Sequence, residues 1–283
     1  MITFLGTGLL GSNFVRALRR RGEEVAVWNR TAARARVLEA DGARVFDDPA
    51  AAVRGATRVH LSLSDDAAVD DTLERARPGL GEGVTIVDHT TTSVAGTVAR
   101  AARWAERGVA FQHAPVFMGP QNALESTGLM LASGERARFD RLAPELQKMT
   151  GKLIYLGEQP ERAAAFKLMG NLFLMFFSTG VIEMLSFAKA LGIPAAEAVT
   201  LFDHFNPGQT LPARVKRMLD ANFQQPSWEL AMARKDARLM LDAAPALPML
   251  PAIAAEMDRW IARGFGNHDW TVLALDALQL QRT

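Results

Sequence analysis

The first half of the chain alternates short apolar runs with amphipathic segments. The runs ITFLG and EVAVWN are rich in Val, Ile and aromatic residues, and the stretch LLGSNFVRALRRRG between them has a helical period. Further strands are predicted at ARVF, RVHLSL, TIVDHT, VAFQHAPV, LMLAS and KLIYLG. Such alternation predicts a mostly parallel sheet with helices on both faces.

The pattern changes after about Gly157. From Arg162 to Gly192 it is that of one long helix, which ends at the stop signal LGIP. Helices are predicted again at PAAEAVTLFDHF, PARVKRMLDAN and WELAMARKDARLMLDAA, without a convincing strand. The sequence therefore predicts an α/β domain over residues 1–160 and an all-α domain over residues 161–283, joined by the long helix.

Composition narrows the classes of function. The chain has 283 residues, a net charge of +1 and no long basic stripe, so a nucleic-acid partner is not expected. It contains no cysteine, which excludes disulfides, thiolate metal sites and cysteine nucleophiles, and no metal site is predicted.

No signal peptide and no membrane span are expected. The N-terminus lacks a basic segment followed by an apolar one. The longest uncharged stretch, Leu168–Ile182, has 15 residues and includes Asn171, Ser178 and Thr179, which is short and polar for a span of ~20 apolar residues. We expect a cytoplasmic protein.

A glycine motif follows the first strand directly and opens a helix. Gly6, Gly8 and Gly11 form G-x-G-x-x-G, with Thr7, Leu9 and Leu10 between them. The first glycine permits a tight turn, the second lets backbone approach a pyrophosphate, and the third lets helix and strand pack closely. At the first strand of a βαβ unit the motif predicts a Rossmann-type dinucleotide-binding domain, with the phosphates at the helix N-terminus.

The end of the second strand indicates which dinucleotide is bound. Enzymes that use NAD place Asp or Glu there for the ribose hydroxyls, whereas this chain has Asn29, Arg30 and Thr31, with Arg34 one turn later. A guanidinium and a hydroxyl suit a 2′-phosphate. The alternative is that Arg30 is a solvated loop residue. The missing acid favours NADP(H).

Lys167 is the single charge in residues 163–182. A buried ammonium is unfavourable unless something requires it, so two interpretations arise: a side chain that extends to water near the helix start, or a proton donor. Asn171 lies four residues later, on the same helical face.

Several segments together resemble the β-hydroxyacid dehydrogenase family, which includes 3-hydroxyisobutyrate dehydrogenases and glyoxylate/succinic semialdehyde reductases and is related to 6-phosphogluconate dehydrogenase and imine reductases. The resemblance runs nearly end to end. It rests on the segments FLGTGLLGSNFVRALRRRGEEVAVWNRT, LSLSD, DHTTTS, APVFMGPQNALESTGLMLASG, KLMGN and RKD.

The resemblance implies NADP(H) bound over the glycine turn, Lys167 as general acid/base with Asn171 beside it, and a homodimer. It implies that Leu63 and Ser64 pass under the cofactor ribose and that Thr91 and Lys235 lie near the nicotinamide. It implies substrate contacts for Phe117, Met118, Gly119 and Asp236. Glu183 also matches a family position and is interpreted as structural.

The chain departs from the family after APV, where most members have Ser-Gly-Gly or Ser-Gly-Ser to hold a substrate carboxylate. Phe117 and Met118 replace the hydroxyl donor and a flexible glycine. Either Gln121, Asn122 and backbone amides hold the anion, or the substrate is bulkier and less charged. His113 stands where the family more often has an acid, and we interpret it as a supporting residue without an assigned function.

The sequence thus predicts an NADP(H)-dependent oxidoreductase that acts on a CH–OH/carbonyl pair of a small aldehyde, keto acid or hydroxy acid. An imine reductase-like enzyme and a catalytically silent NADP-binding module are the alternatives.

Overall fold

The computed structural model describes residues 1–278 and divides into two compact units between Phe173 and Leu174. The first unit is built on a six-stranded parallel sheet with strand order β3-β2-β1-β4-β5-β6. Its strands are β1 (Ile2–Leu5), β2 (Val25–Trp28), β3 (Arg44–Val45), β4 (Arg58–Leu61), β5 (Thr85–Asp88) and β6 (Ala110–His113). This strand order is that of a Rossmann fold, as predicted.

Helices connect these strands, and apolar side chains fill a separate core on each face of the sheet. The helices are α1 (Leu9–Arg20), α2 (Ala32–Arg36), α3 (Pro49–Val53), α4 (Asp66–Ala76) and α5 (Val94–Glu106). Neighbouring residues of β1 enter different cores: Phe4 packs with Phe14 on one face, and Leu5 packs with Leu61 and Trp104 on the other. Burial on both faces explains why the strands are almost wholly apolar.

The predicted strand VAFQHAPV is two strands of two different sheets, so its prediction as one strand was wrong. β6 ends at His113, and β7 (Val116–Phe117) pairs antiparallel with β8 (Leu129–Ala132), which pairs in parallel with β9 (Lys152–Tyr155). The chain changes sheet at Ala114–Pro115. Ala114 N donates to Asp88 O (2.7 Å), and Pro115 O accepts from Leu131 N (2.9 Å). Helices α6 (Pro120–Glu125) and α7 (Arg136–Gln147) complete this region.

The long predicted helix is present as α8 (Arg162–Ala190), and the division between the units falls inside it. The sequence placed the boundary before the helix, at residues 160/161. Its first turns belong to the first unit because Ala163, Ala164 and Lys167 are buried there, and Ala163 N donates to Ser133 Oγ (2.9 Å).

Helix α8 is also long and apolar enough to cross a membrane by length and composition alone. Its most apolar 18-residue window has a mean hydropathy of 1.6, and none of that window is buried in the chain. The uncharged stretch Leu168–Ile182 has 15 residues, whereas the helix that contains it is 29 residues long. Because helices that pack on other protein surfaces pass the same test, this is weak evidence, and the absence of a membrane partner stays a prediction.

The second unit is helical, as predicted. It contains the end of α8 and the helices α9 (Ala195–Ala198), α10 (Leu211–Leu219), α11 (Leu230–Ala243), α12 (Leu250–Trp260) and α13 (Leu275–Leu278). Leu230, Met257 and Trp260 lie in its core. Glu183 Oε1 accepts hydrogen bonds from Met249 N (3.1 Å) and Leu250 N (2.8 Å), so this carboxylate caps the start of α12. This geometry supports the structural interpretation of Glu183.

Candidate dinucleotide site and adjoining lysine

The glycine turn has the geometry that its spacing predicts. Gly6 has φ +97°, and a Cβ there would lie 2.3 Å from Ser62 O. A Cβ at Gly11 would lie 2.0 Å from Gly6 O, whereas among the described residues a Cβ at Gly8 meets nothing within 4 Å. The first and third glycines therefore allow close backbone packing, and the second leaves open space above the turn.

Helix α1 begins just beyond this turn and presents its N-terminus to the open space. Gly8 is the N-cap, and among residues 1–278 no side chain caps this end. Thr7 N donates to Asn29 Oδ1 (3.0 Å), which ties the turn to the end of β2. The first backbone N–H groups of α1 are thus directed at the site, and the helix dipole favours an anion there.

A cavity of about 340 Å³ lies over the turn. The predicted residues that line it are Gly6, Gly8, Leu9, Leu10, Asn29, Arg30, Thr31, Arg34, Leu63 and Ser64. Trp28, Ser62, Ala68, Asp71 and Thr72 line it as well, and the sequence reasoning missed them. Trp28 and Ser62 lie at the carboxyl ends of β2 and β4, where ligands bind in this type of sheet, so their places at the predicted strand ends could have identified them. Thr7 and Gly11 support the turn, and Thr91 is exposed in the loop after β5.

The far end of this cavity is cationic. Arg30, Thr31 and Arg34 are exposed there, directly after β2. Hydrogen bonds from Ala68 N and the Ser64 hydroxyl, together with the charge of Arg30, lower the pKa of Asp65 at the start of α4. The three glycines, the open helix end and these cations fit a dinucleotide with an additional phosphate on its ribose.

Two loops beside the cavity are joined by hydrogen bonds. Leu63 N, after β4, donates to Thr90 Oγ1 (3.0 Å), after β5. Ser93 N donates to Asp66 Oδ2 at the start of α4 (2.8 Å). These bonds fix the backbone near Leu63, Ser64 and Thr91, the three loop residues that the family resemblance assigned to the cofactor.

A fully buried arginine supports the same loops. The guanidinium of Arg100 lies 2.9 Å from Asp66 Oδ1, 2.9 Å from Asp70 Oδ1 and 3.9 Å from Asp88 Oδ2. A buried cation requires such partners, because an unpaired charge away from water is strongly unfavourable. The sequence reasoning missed Arg100. The available signal was its place on the buried face of α5, in line with Thr97 and Trp104.

Two buried histidines below the glycine turn are structural. His89 Nδ1 contacts Ala114 O (2.7 Å) and must donate to it, so His89 Nε2 accepts from His60 Nδ1 (3.0 Å). Burial lowers the pKa of His60 well below its usual range and that of His89 to about 4, so both rings are neutral at pH 7. Phe4 and Phe14 pack against them.

Lys167 lies in the second turn of α8 and is 9% exposed. Its Nζ is 4.1 Å from the centroid of the Phe117 ring. Desolvation lowers the pKa of Lys167, and within the described part of the first unit no carboxylate offsets this effect. Asn171 follows one turn later on the same face and is partly buried. The structure thus places Lys167 against a phenylalanine, with Asn171 on the same helical face.

The loop after β7 uses its own polar groups internally. Asn122 Oδ1 accepts from Gly119 N (2.9 Å), and Asn122 Nδ2 donates to Thr127 Oγ1 (3.0 Å). Gln121 Nε2 donates to Glu125 Oε1. The side chain of Met118 packs against the core of the first unit.

The remaining predicted residues lie elsewhere. Lys235 and Asp236 are on α11 in the second unit and form an ion pair with each other, with Lys235 Nζ 2.9 Å from Asp236 Oδ1. Their assignment to cofactor and substrate stays a prediction. His113, the last residue of β6, is buried with Nδ1 3.8 Å from Asp88 Oδ2, which suits the supporting role expected of it.

Residues 1–157, more than half of the chain, match the family profile described as the NAD binding domain of 6-phosphogluconate dehydrogenase. The chain is a member of the β-hydroxyacid dehydrogenase family. It is therefore an oxidoreductase built around a dinucleotide-binding domain, which confirms the family predicted from the motifs.

Relatives of this family member extend over most of its length. The uncharacterized oxidoreductase YfjR of Bacillus subtilis (strain 168) is 25% identical over 96% of this chain and 98% of YfjR. Glyoxylate/succinic semialdehyde reductase 2, chloroplastic, of Arabidopsis thaliana is 27% identical over 95% of this chain and 76% of that protein. The human cytokine-like nuclear factor N-PAC is 30% identical over 85% of this chain, which spans only 44% of N-PAC.

A solved structure shares the complete fold. The imine reductase from Myxococcus stipitatus in complex with NADP+ superposes with a TM-score of 0.90, covering 97% of this chain and 99% of that one, at 21% identity. At that identity the likeness establishes the fold of the chain alone, and its substrate has to be inferred from its own residues.

Proposed function

We propose that the protein is an NADPH-dependent reductase that transfers hydride to the carbonyl carbon of a small organic molecule, or catalyses the reverse reaction, with Lys167 as general acid/base. The observation that carries this proposal is the buried Lys167 amine, which has a lowered pKa and has Asn171 one turn away. Perturbed, desolvated amines of this kind are common in catalytic sites.

A bound NADPH supplies the hydride. As the carbonyl carbon is reduced, negative charge builds on the substrate oxygen, and the Lys167 ammonium stabilises that charge and donates the proton from Nζ. The lowered pKa makes this proton easier to release near neutral pH and easier to take back in oxidation. The Asn171 amide can donate a hydrogen bond to the same oxygen without adding charge.

The preference for NADPH is inferred from the end of β2. Arg30, Thr31 and Arg34 line the cavity there, and the residue that directly follows β2 is Asn29 rather than an acid. A guanidinium pairs with a phosphate by charge-assisted hydrogen bonds, whereas an acid would repel it. Asp71 also lines the cavity, on α4, and is not in the position that selects NAD.

Reduction of a C=O bond is favoured over reduction of a C=N bond because a lysine supplies the acid and because a relative of comparable length is named as a semialdehyde reductase. Imine reduction is the second candidate. It is favoured by Phe117, which replaces the family serine with an apolar wall, and by the imine reductases among proteins of the same fold.

We also propose that a second copy of the chain covers the distal half of α8. Leu174, Met175, Phe176 and Phe177 are each more than half exposed, and Phe176 and Phe177 adjoin an apolar cavity of about 730 Å³ in the second unit. An apolar surface of this extent on a soluble protein marks an interface. Light scattering should give a dimer, and Phe176→Glu should yield monomers.

The test of the reaction is NADPH consumption with glyoxylate, succinic semialdehyde, butanal and the cyclic imine 1-pyrroline. Lys167→Met, which keeps the length and removes the amine, should lower kcat/KM by about 10²-fold or more for the carbonyl compounds. Lys152→Met is the matched control, because Lys152 is an exposed lysine of the same unit and does not line the dinucleotide cavity. Tight NADPH binding without turnover of any compound would identify a silent dinucleotide-binding module instead.

A further inference from the structure

The side chain of Phe117 is the group that Lys167 contacts in place of an acid or a hydroxyl. The ring centroid lies 4.1 Å from Lys167 Nζ, so the ammonium faces the electron-rich surface of the ring. Phe117 ends β7 and is paired with Leu129 of β8, which fixes its backbone. The ring is therefore a built part of the lysine site.

Helix α8 accommodates this ring by means of a glycine. A Cβ at Gly170 would lie 2.3 Å from Phe117 Cζ and 2.6 Å from Phe117 Cε1. In the sequence, Gly170 lies between Lys167 and Asn171. Glycine inside a helix is unfavourable relative to alanine, so its presence here matches the space that the ring needs.

The loop that follows the ring has few groups left for an anion. The N–H of Gly119 is bound by Asn122 Oδ1, and the amide of Asn122 donates to Thr127. The amide of Gln121 donates to Glu125. The side chains of Phe117 and Met118 carry no N–H or O–H donor. Gln121 and Asn122, the two side chains considered as replacements for the family serine, are thus already engaged.

A carboxylate moved from water to such a surface would lose hydrogen bonds that the side chains of the loop do not replace, whereas an alkyl or aryl group would lose none. We propose that Phe117 determines the substrate class, and that the enzyme acts on carbonyl or imine compounds with an apolar group in place of the carboxylate of hydroxyacid substrates. This inference rests on the reductase function proposed above.

The test compares butanal with succinic semialdehyde, which differ only by a terminal methyl in place of a carboxylate. Wild type should give a kcat/KM at least about tenfold higher for butanal. The double variant Phe117→Ser/Met118→Gly, which restores the family residues, should shift the ratio of the two kcat/KM values toward succinic semialdehyde by about 10²-fold. Phe117→Leu is the matched control, because it keeps an apolar side chain and should keep the preference for butanal.

Binding is measured beside turnover, so that the two proposals can fail separately. With NADP+ present, calorimetry should show tighter binding of 1-butanol than of 4-hydroxybutyrate to wild type, and the reverse for the double variant. Thermal unfolding checks that each variant folds, and Phe117→Ser alone replaces the double variant where that one is unfolded. A wild type that prefers the carboxylate compound in either measurement overturns the role of Phe117. Butanol binding without any turnover contradicts the reductase function and leaves the role of Phe117 supported.

Discussion

Two helices of the first unit begin directly after a glycine, and they differ in the N–H groups that the chain leaves at that end. Gly8 precedes α1, and among the described residues its helix end has no side-chain cap and open space above it. Gly119 precedes α6, where Asn122 Oδ1 accepts from Gly119 N and the Phe117 ring packs on Lys167. A glycine before a helix is therefore not by itself an anion site.

The N-termini of α1 and α6 differ in how many backbone N–H groups are left for a ligand. At α1 they are left for a ligand, and the alignment of peptide dipoles favours a phosphate. At α6 fewer donors are left, because Pro120 has no N–H and the Asn122 side chain accepts from Gly119 N. The family resemblance assigns the first end to the cofactor and the second to a substrate carboxylate, and we propose that this chain binds an anion only at the first.

The same substitution at Gly8 and at Gly119 should have very different effects on NADPH binding. Gly8→Asp should weaken NADPH binding by roughly 10³-fold, since a carboxylate would face the pyrophosphate, and like charges in close contact are unfavourable by several kcal/mol. Gly119→Asp should leave NADPH binding unchanged, because aspartate is an accepted N-cap and Gly119 does not line the dinucleotide cavity. Both glycines have extended backbone, so both variants should fold. Fluorescence titration with NADPH decides, and equal losses at both positions would contradict the distinction.

The position of the Phe117 ring can be tested by a substitution in α8, at Gly170. Gly170→Ala should displace the Phe117 ring, because the new methyl would lie 2.3 Å from it, and a shift of about 1 Å in a reacting group lowers kcat/KM by up to ~10²-fold. Gly180→Ala is the control in the same helix, since a Cβ there meets nothing within 4 Å among the described residues. It should keep activity and stabilise the fold by roughly 0.5–1 kcal/mol. Retained activity in Gly170→Ala would show that the ring is not needed.

The dependence of kcat/KM on pH should reflect the burial of the Lys167 amine. Reduction requires protonated Lys167, so its kcat/KM should fall about tenfold per pH unit above the pKa of Lys167, and oxidation should rise over the same range. Because desolvation lowers this pKa, the change should begin below the ~10.4 of an ordinary lysine. A profile that stays flat up to pH 10, measured with saturating NADPH, would speak against Lys167 as the acid.

Arg30, in the cavity over the glycine turn, should also set the preference for NADPH over NADH, with a smaller effect on kcat/KM. Arg30→Ala should reduce the ratio of kcat/KM for NADPH over NADH by about tenfold, which corresponds to one lost charge-assisted contact of ~1.4 kcal/mol. Arg20→Ala, at an exposed arginine at the far end of α1, is the control and should leave the ratio unchanged. If Arg30→Ala behaves like the control, the assignment of the 2′-phosphate to this side chain is incorrect.

The sequence was most informative where structure is local. The glycine turn, the open start of α1 and the strand–helix alternation depend on residues a few positions apart, and the Rossmann fold was predicted correctly from them. The second sheet was not predicted, because only Ala114 and Pro115 separate β6 from β7 and the two read as one strand. Pro115 was the available signal, since proline lacks the N–H that a central strand needs.

Contacts between residues far apart in the sequence could not be predicted from the pattern of hydrophobic and polar positions. Arg100 joins carboxylates on α4 and β5, and its partners could not be chosen from among the many acids of the sequence. The same holds for the ring of Phe117 on Lys167: the substitution was visible, but where the ring packs depends on how β7 and α8 meet in the fold. Gly170 was a local signal of this contact, because helix interiors rarely favour glycine.

The packing of Phe117 on Gly170 links two positions that are far apart in the chain, and it constrains how this branch of the family can evolve. While the ring is present, any side chain at Gly170 collides with it, so position 170 is held as glycine. A descendant that replaces Phe117 with serine loses that constraint and is free to gain a stronger helix former at 170. Aligned relatives should accordingly show a bulky ring and this glycine appearing and disappearing together, with the order of substitutions fixed: glycine first on the way in, ring first on the way out.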